Sequence, residues 1–217
     1  MTADKHHYSE QDRAAIYRVI GERRDMRHFL SDPIDAGVFT RILMAGHQAP
    51  SVGLMQPWRI IRITSPNIKQ AIQQCVDKER LKTAECLAER QQEFMQLKVE
   101  GISQCGELLV MCLMEQREQH IFGRRTMPEM DLASVSCAIQ NMWLAARAEG
   151  IGMGWVSLFE PQDLADILAI PQGAQAMAIL CLGHVEEFYS APMLELENWR
   201  KACSISDVVF ENSWQQK

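Results

Sequence analysis

Three arginines and an aspartate within five residues, Arg23-Arg24-Asp25-Met26-Arg27, are the densest concentration of potential chemistry in the sequence. Planar guanidiniums can surround a phosphate dianion with bidentate hydrogen bonds that an ammonium cannot match. A solvated charged turn at a helix end has the same composition, so the segment alone leaves both readings open. Asp25 tilts the balance toward a site: an acid among arginines is expected to be held ionised and fixed in place, as a positioned base or acceptor must be.

Two other stretches could contribute. Ala49 to Trp58 (APSVGLMQPW) is stiffened by Pro50 and Pro57 and offers the Ser51 hydroxyl, the Gln56 amide and free backbone N–H groups, which suits a polyol. The competing reading is an ordinary connection in which Trp58 anchors the next strand. Gly154-Trp155-Val156-Ser157 places small and hydroxyl residues at the end of an apolar segment. The sequence lacks HExxH, GxSxG, a Walker loop and GxGxxG, and Gly152-Met153-Gly154 follows a helical pattern, the reverse of the dinucleotide-binding order. No His/Cys pair has metal-ligand spacing, so no metal is expected. His47 and His184 read as structural or surface residues, and Cys137 and Cys181 as small buried hydrophobes.

These residues must be positioned by the elements around them. Ser9 to Ile20 predicts a helix, with Ser9 as N-cap, Glu10 and Asp12 in its first turn, and a stripe of Ala15, Ile16, Val19 and Ile20. A second helix is expected over 35–48 with Val38, Ile42 and Ala45 inward. The runs 59–64, 108–114 and 176–183 have the content of strands, and Gly152 to Ser157 reads as strand or loop. Residues 67–101 are mostly helical and heavily charged, which predicts an exposed excursion or lid. The strongest helix starts at 131 or 132 and ends at 149, with Val135, Ile139, Met142, Trp143 and Ala146 at helical spacing and Gly150 as a C-cap. A short helix over 161–169 is ended by Pro171, and a mixed, polar tail begins at Pro192.

With 217 residues and 47% hydrophobic content, one domain spanning 1–217 with a full core is expected. Helices and strands in this order argue for an α+β or α/β fold. The net charge of -6 lacks basic blocks, which disfavours a nucleic-acid partner. The polar N-terminus and the shortness of the apolar runs disfavour membrane insertion. Seven cysteines without a CxxC pair suit a reducing cytoplasm. Thirteen methionines read as core filler.

Taken in order, the segments RRDMR, HQAPSVGLMQPW, LKVEGI, GRRTMPEMDLASVSCAIQNMWLAARAEGIGMGWVS and a PxLExxxWR-like tail resemble the flavin nitroreductase superfamily, in its 5,6-dimethylbenzimidazole synthase branch. The match spans about residues 18 to 200. Ordinary members of the superfamily place serine where Asp25 stands. The resemblance implies an α+β nitroreductase-like fold, with a central mixed or antiparallel sheet flanked by helices, a lid over about 67–101, and a tail over 192–217. It implies a cytoplasmic homodimer with FMN between subunits. Reduced FMN would be the substrate rather than a recycled cofactor, consumed with O2, and a flavin reductase is a possible supplier of the reduced flavin. By the same resemblance, Arg23, Arg24 and Arg27, helped by Arg200, would hold the phosphate. Pro50, Ser51 and Gln56 would face the ribityl chain or ring, with Trp155 beside them. Ser157 would bond the ring near N5, and Asp25 would position or deprotonate the ribityl chain near its first carbon. Two alternatives stay open: an NAD(P)H-dependent nitroreductase or flavin reductase, and a flavin-binding protein without turnover. An aromatic is expected where Ala133 stands, a departure at the rim of the site.

Overall fold

A computed structural model describes residues 6–214. Each helix starts where local chemistry satisfies its free N–H groups. In α1 (Glu10–Glu22) the Ser9 hydroxyl accepts the Asp12 N–H. In α2 (Ala36–His47) the Asp35 carboxylate accepts two, from Gly37 and Val38. Proline stands in the first turn of both α3 (Pro66–Cys86) and α6 (Pro161–Leu168), where no N–H is missed. Between these lie the short α4 (Gln91–Gln96) and the long α5 (Met130–Ala148), which stops where Gly150 adopts a φ of 75°. A four-residue helix, α7 (Met193–Leu196), is part of the tail.

Four strands, β1 (Trp58–Ile63), β2 (Glu107–Leu113), β3 (Gly152–Val156) and β4 (Gln175–Gly183), form an antiparallel sheet in the order β1-β2-β4-β3. Both faces are covered. Leu109, Met111 and Leu113 of β2 join α2 and α5 in one core, while Leu108, Val110 and Cys112 join α3 and α6 in the other. This is why β2 reads as an uninterrupted apolar run rather than an alternation. All five inward residues expected on α5 are buried. The α+β class and nitroreductase-like architecture are confirmed, with the sheet antiparallel rather than mixed.

Three expectations need revision. The charged segment 67–101 divides in two: α3 carries Ile72, Cys75 and Val76 into the second core, so it is a core helix, and only the stretch from α4 to Val99 stands over a cavity. Its spacing of i, i+3, i+4 was masked by the surrounding charges. The α1 stripe is not buried; Ile16 is 48% and Ile20 49% exposed. Cys137 is exposed, whereas Cys181 is buried as expected.

The basic segment is laid against the outer side of β3. Asp25 forms a parallel bridge with Met153, the Met26 N–H donates to the Met153 carbonyl at 3.0 Å, and the Leu30 N–H donates to the His184 carbonyl at 2.8 Å. Glycines permit the approach. A Cβ on Gly154 would stand 2.2 Å from the Met26 carbonyl oxygen, and one on Gly101 2.4 Å from the Phe29 ring.

Candidate active site

Because residues 25–27 are extended, Asp25 and Arg27 point to one side and Arg24 to the other. An Arg27 Nη2 hydrogen bonds both the Asp25 carboxylate, at 2.5 Å, and the Trp155 carbonyl, at 2.8 Å. The Trp155 N–H returns to the other Asp25 oxygen at 3.0 Å. Both backbone groups of one β3 residue are thereby spent on orienting an ion pair. Behind it, the Trp143 indole N–H donates to the Arg24 and Met153 carbonyls, and the Arg23 guanidinium stacks over the Trp143 ring at 4.5 Å.

Two adjoining cavities meet at Asp25. The first, about 240 Å³, has Asp25, Arg27 and Ser157 as its polar groups, within an apolar wall that includes Phe94, Leu97, Val156 and Trp199. The second, about 280 Å³, is lined by Arg23, Arg24, Asp25, the end of α1 and Pro192 to Leu194. Together they reach the size of a pocket for a small organic ligand, roughly 300–1,000 Å³. Burial pushes the Asp25 pKa above the ordinary carboxylate value; the Arg27 guanidinium, the Trp155 N–H and Arg23 pull the other way without cancelling it. Desolvation is the largest of these influences, and the carboxylate, its side chain 41% exposed, is paired with Arg27 at 2.5 Å.

The other expected site residues are dispersed. Arg27 lines the first cavity, whereas Arg23 and Arg24 line the second. Pro50 and Ser51 line a third cavity of about 340 Å³ with Ala133, Ser134 and Cys137. There the Ser51 hydroxyl accepts the Gln56 N–H at 3.0 Å and Ser134 accepts the Val52 N–H at 3.0 Å, which ties the loop to the start of α5. Gln56 is half-buried, and its side chain is outside the lining of all three cavities. Arg200 is exposed and also outside them. Its neighbour Trp199 is the tail residue that reaches the first cavity, packed on Phe94 with ring centroids 6.2 Å apart and capped by Arg90 at 3.5 Å. Phe94 and Leu97, three apart in a charged segment, were the available sign of this wall.

A ligand with an anionic or acceptor-rich face fits the donors present. Arg27 is 7% exposed, and its Nε and Nη1 have no protein partner; nor does the Arg24 Nε. Buried guanidinium N–H groups without acceptors are costly unless a ligand supplies them. Among the described residues no group of three or more His, Cys, Asp or Glu is placed to hold a metal ion. No described helix is long and apolar enough to cross a membrane.

Comparison with known proteins agrees with this geometry. Residues 20–184 match the nitroreductase family, and the chain belongs to it. Within that family it falls in the 5,6-dimethylbenzimidazole synthase branch. It is 39% identical to the 5,6-dimethylbenzimidazole synthase of Rhodospirillum rubrum over 183 residues, covering 82% of this chain and 85% of that one. With the enzyme of the same name from Rhodobacter capsulatus the identity is 35% over 196 residues, covering 89% and 95%. An iodotyrosine deiodinase solved with FMN and 3-iodo-L-tyrosine shares the fold, at a TM-score of 0.70 and 17% identity over 92% of this chain and all of that one. Nitroreductase A of Vibrio parahaemolyticus does so at 0.68 and 23% identity, over 94% and 78%.

Proposed function

We propose that this chain consumes reduced FMN and O2 and releases 5,6-dimethylbenzimidazole and a four-carbon sugar phosphate. The observation that carries the reading is the Asp25 carboxyl, clamped by Arg27 and Trp155 where an apolar cavity meets a basic one. The names of the two bacterial relatives support it. Reduced FMN would supply both the electrons for O2 and the carbon skeleton of the product.

Each residue then has a task set by its position. Arg23 and Arg24 hold the phosphate in the second cavity. Arg27 faces the ring system instead, where its unpartnered N–H groups favour negative charge on the reduced flavin. Asp25, between them, faces the ribityl chain near the ring, and the burial that raises its pKa makes it a stronger proton acceptor than an ordinary carboxylate. Ser157, at the end of β3, presents its hydroxyl to the ring in the first cavity. Phe94, Leu97 and Trp199 would wall the flavin off from water and from a nicotinamide, and a separate flavin reductase would then deliver the reduced flavin.

Pro50, Ser51 and Gln56 serve this site only from a second copy. Ser134, which holds their loop, and Trp143, which holds the basic segment, are nine residues apart on α5, or about 14 Å along its axis. The exposed Ile16 and Ile20 of α1 and the exposed Val208, Val209 and Trp214 of the tail support a homodimer. Seven free cysteines support a cytoplasmic location. The test is spectroscopic: bound FMN is reduced once with dithionite and exposed to air. Permanent loss of the flavin absorbance is expected; full recovery of the oxidised spectrum, with steady NAD(P)H oxidation, would identify a nitroreductase instead.

A further inference from the structure

Of three consecutive residues after β4, two bond the basic segment and the first packs on a side chain that holds the helix before it. The Phe188 ring lies 4.1 Å beneath the Arg147 guanidinium, which holds Glu22 at the end of α1 at 2.6 Å. The Ser190 carbonyl accepts an Arg24 Nη2 hydrogen bond at 3.2 Å. Between them, the Tyr189 hydroxyl accepts the backbone N–H of Arg27 at 3.2 Å and meets His28 Nδ1 at 2.7 Å.

The middle contact bears on the site. In an extended segment successive N–H groups point to opposite sides, so the edge that Met26 docks on β3 leaves the Arg27 N–H facing away from the sheet. No strand takes that side; a single phenolic oxygen does. With His28 in the Nε2–H tautomer, the Tyr189 O–H donates to Nδ1 and the hydroxyl is fixed for Arg27. Asp25 and Arg27 therefore stand on a backbone pinned on one edge by Met153 and on the other by Tyr189.

We propose that Tyr189 is a positioning residue for the Asp25–Arg27 pair, acting through the Arg27 backbone rather than on the ligand; for its effect on turnover this rests on the function proposed above. Tyr189 lines neither of the cavities that meet at Asp25. Its hydroxyl thus affects where Asp25 stands, and small displacements of a reacting group cost rate more than affinity.

Tyr189→Phe keeps the ring and removes the one acceptor of the Arg27 N–H. Three readings are made on the full-length variant. Amide hydrogen exchange should show protection at Arg27 falling about tenfold or more, with α5 unchanged. The Kd for FMN should stay within about threefold, while the fraction of reduced FMN converted to product falls about tenfold and the rest returns as oxidised FMN. Unchanged Arg27 protection overturns the proposal whatever the reaction proves to be. So does a loss of FMN affinity as large as the loss of conversion, or unfolding of the variant, since both mark a merely structural role. Wild-type protein that forms no product would sink the proposed function instead, and the exchange measurement would then decide on Tyr189 alone. His28→Ala, which frees the hydroxyl without deleting it, should give a smaller effect in the same direction; no change in exchange at Arg27 would argue against the tautomer assigned here.

Discussion

The two cavities that meet at Asp25 solve opposite problems with the same residue type. In the second, Arg23 and Arg24 are half-buried, stacked on Trp143 or tied to carbonyls, and near solvent. In the first, Arg27 is almost fully buried among aromatic and aliphatic walls, with two guanidinium nitrogens lacking partners. The half-buried pair suits a hydrated, strongly charged group such as a phosphate. The buried one is useful only if the ligand brings negative charge into an apolar space. On the proposed function, three arginines that look alike in sequence would divide between a flavin's two ends, and the carboxyl at the boundary would control the chemistry between those ends.

Substitutions can break this division, and they rank by expected size. Asp25→Asn removes the proton-transferring group but keeps the shape, so conversion of reduced FMN should fall roughly 10²- to 10⁴-fold with FMN still bound, measured by product formation and flavin fluorescence titration. Product at wild-type rate would remove Asp25 from the mechanism. Arg27→Met should weaken reduced FMN and reduced riboflavin alike, by roughly 10- to 100-fold, because the lost bonds go to the ring. Arg24→Ala should cost FMN about tenfold in Kd and leave riboflavin unchanged, since only FMN carries the phosphate. Equal losses for both ligands in the Arg24 variant would show that the two cavities do not divide the ligand in this way.

The smallest effect is on stability. The pKa of Asp25 is raised in the fold, so its contribution is fully present below the ordinary carboxylate value, near 3.9, and is lost as pH rises through the raised value. Asp25→Asn has no such loss. Its thermal midpoint relative to wild type should climb as pH increases from about 4 toward neutrality. A difference that stays flat would mean that Arg27 compensates the burial completely.

How much of this was legible depended on whether local pattern or tertiary contact decided each residue. Helix α5 could be read at once, because Val135, Ile139, Met142, Trp143 and Ala146 repeat at 3.6 residues and all are buried. The basic segment stood out as a cluster, but its division did not. That follows from tertiary contacts: Arg23 stacks on Trp143 and Arg24 reaches the Ser190 carbonyl, while Arg27 is held by the Trp155 carbonyl. In α3 the charge density hid Ile72, Cys75 and Val76. In the tail the arginine attracted notice while Trp199, one residue earlier, is what faces the cavity. The separation of Ser51 from Asp25 was not legible, since it depends on the path of α5 across the molecule. The Tyr189 contact spans 162 positions and has no local signature.

The central claim is that the flavin is a substrate. Stoichiometric reduced FMN is incubated with the protein in air, and the mixture is resolved by chromatography. One 5,6-dimethylbenzimidazole formed for each FMN lost is the predicted result. Quantitative recovery of oxidised FMN with no benzimidazole would contradict it.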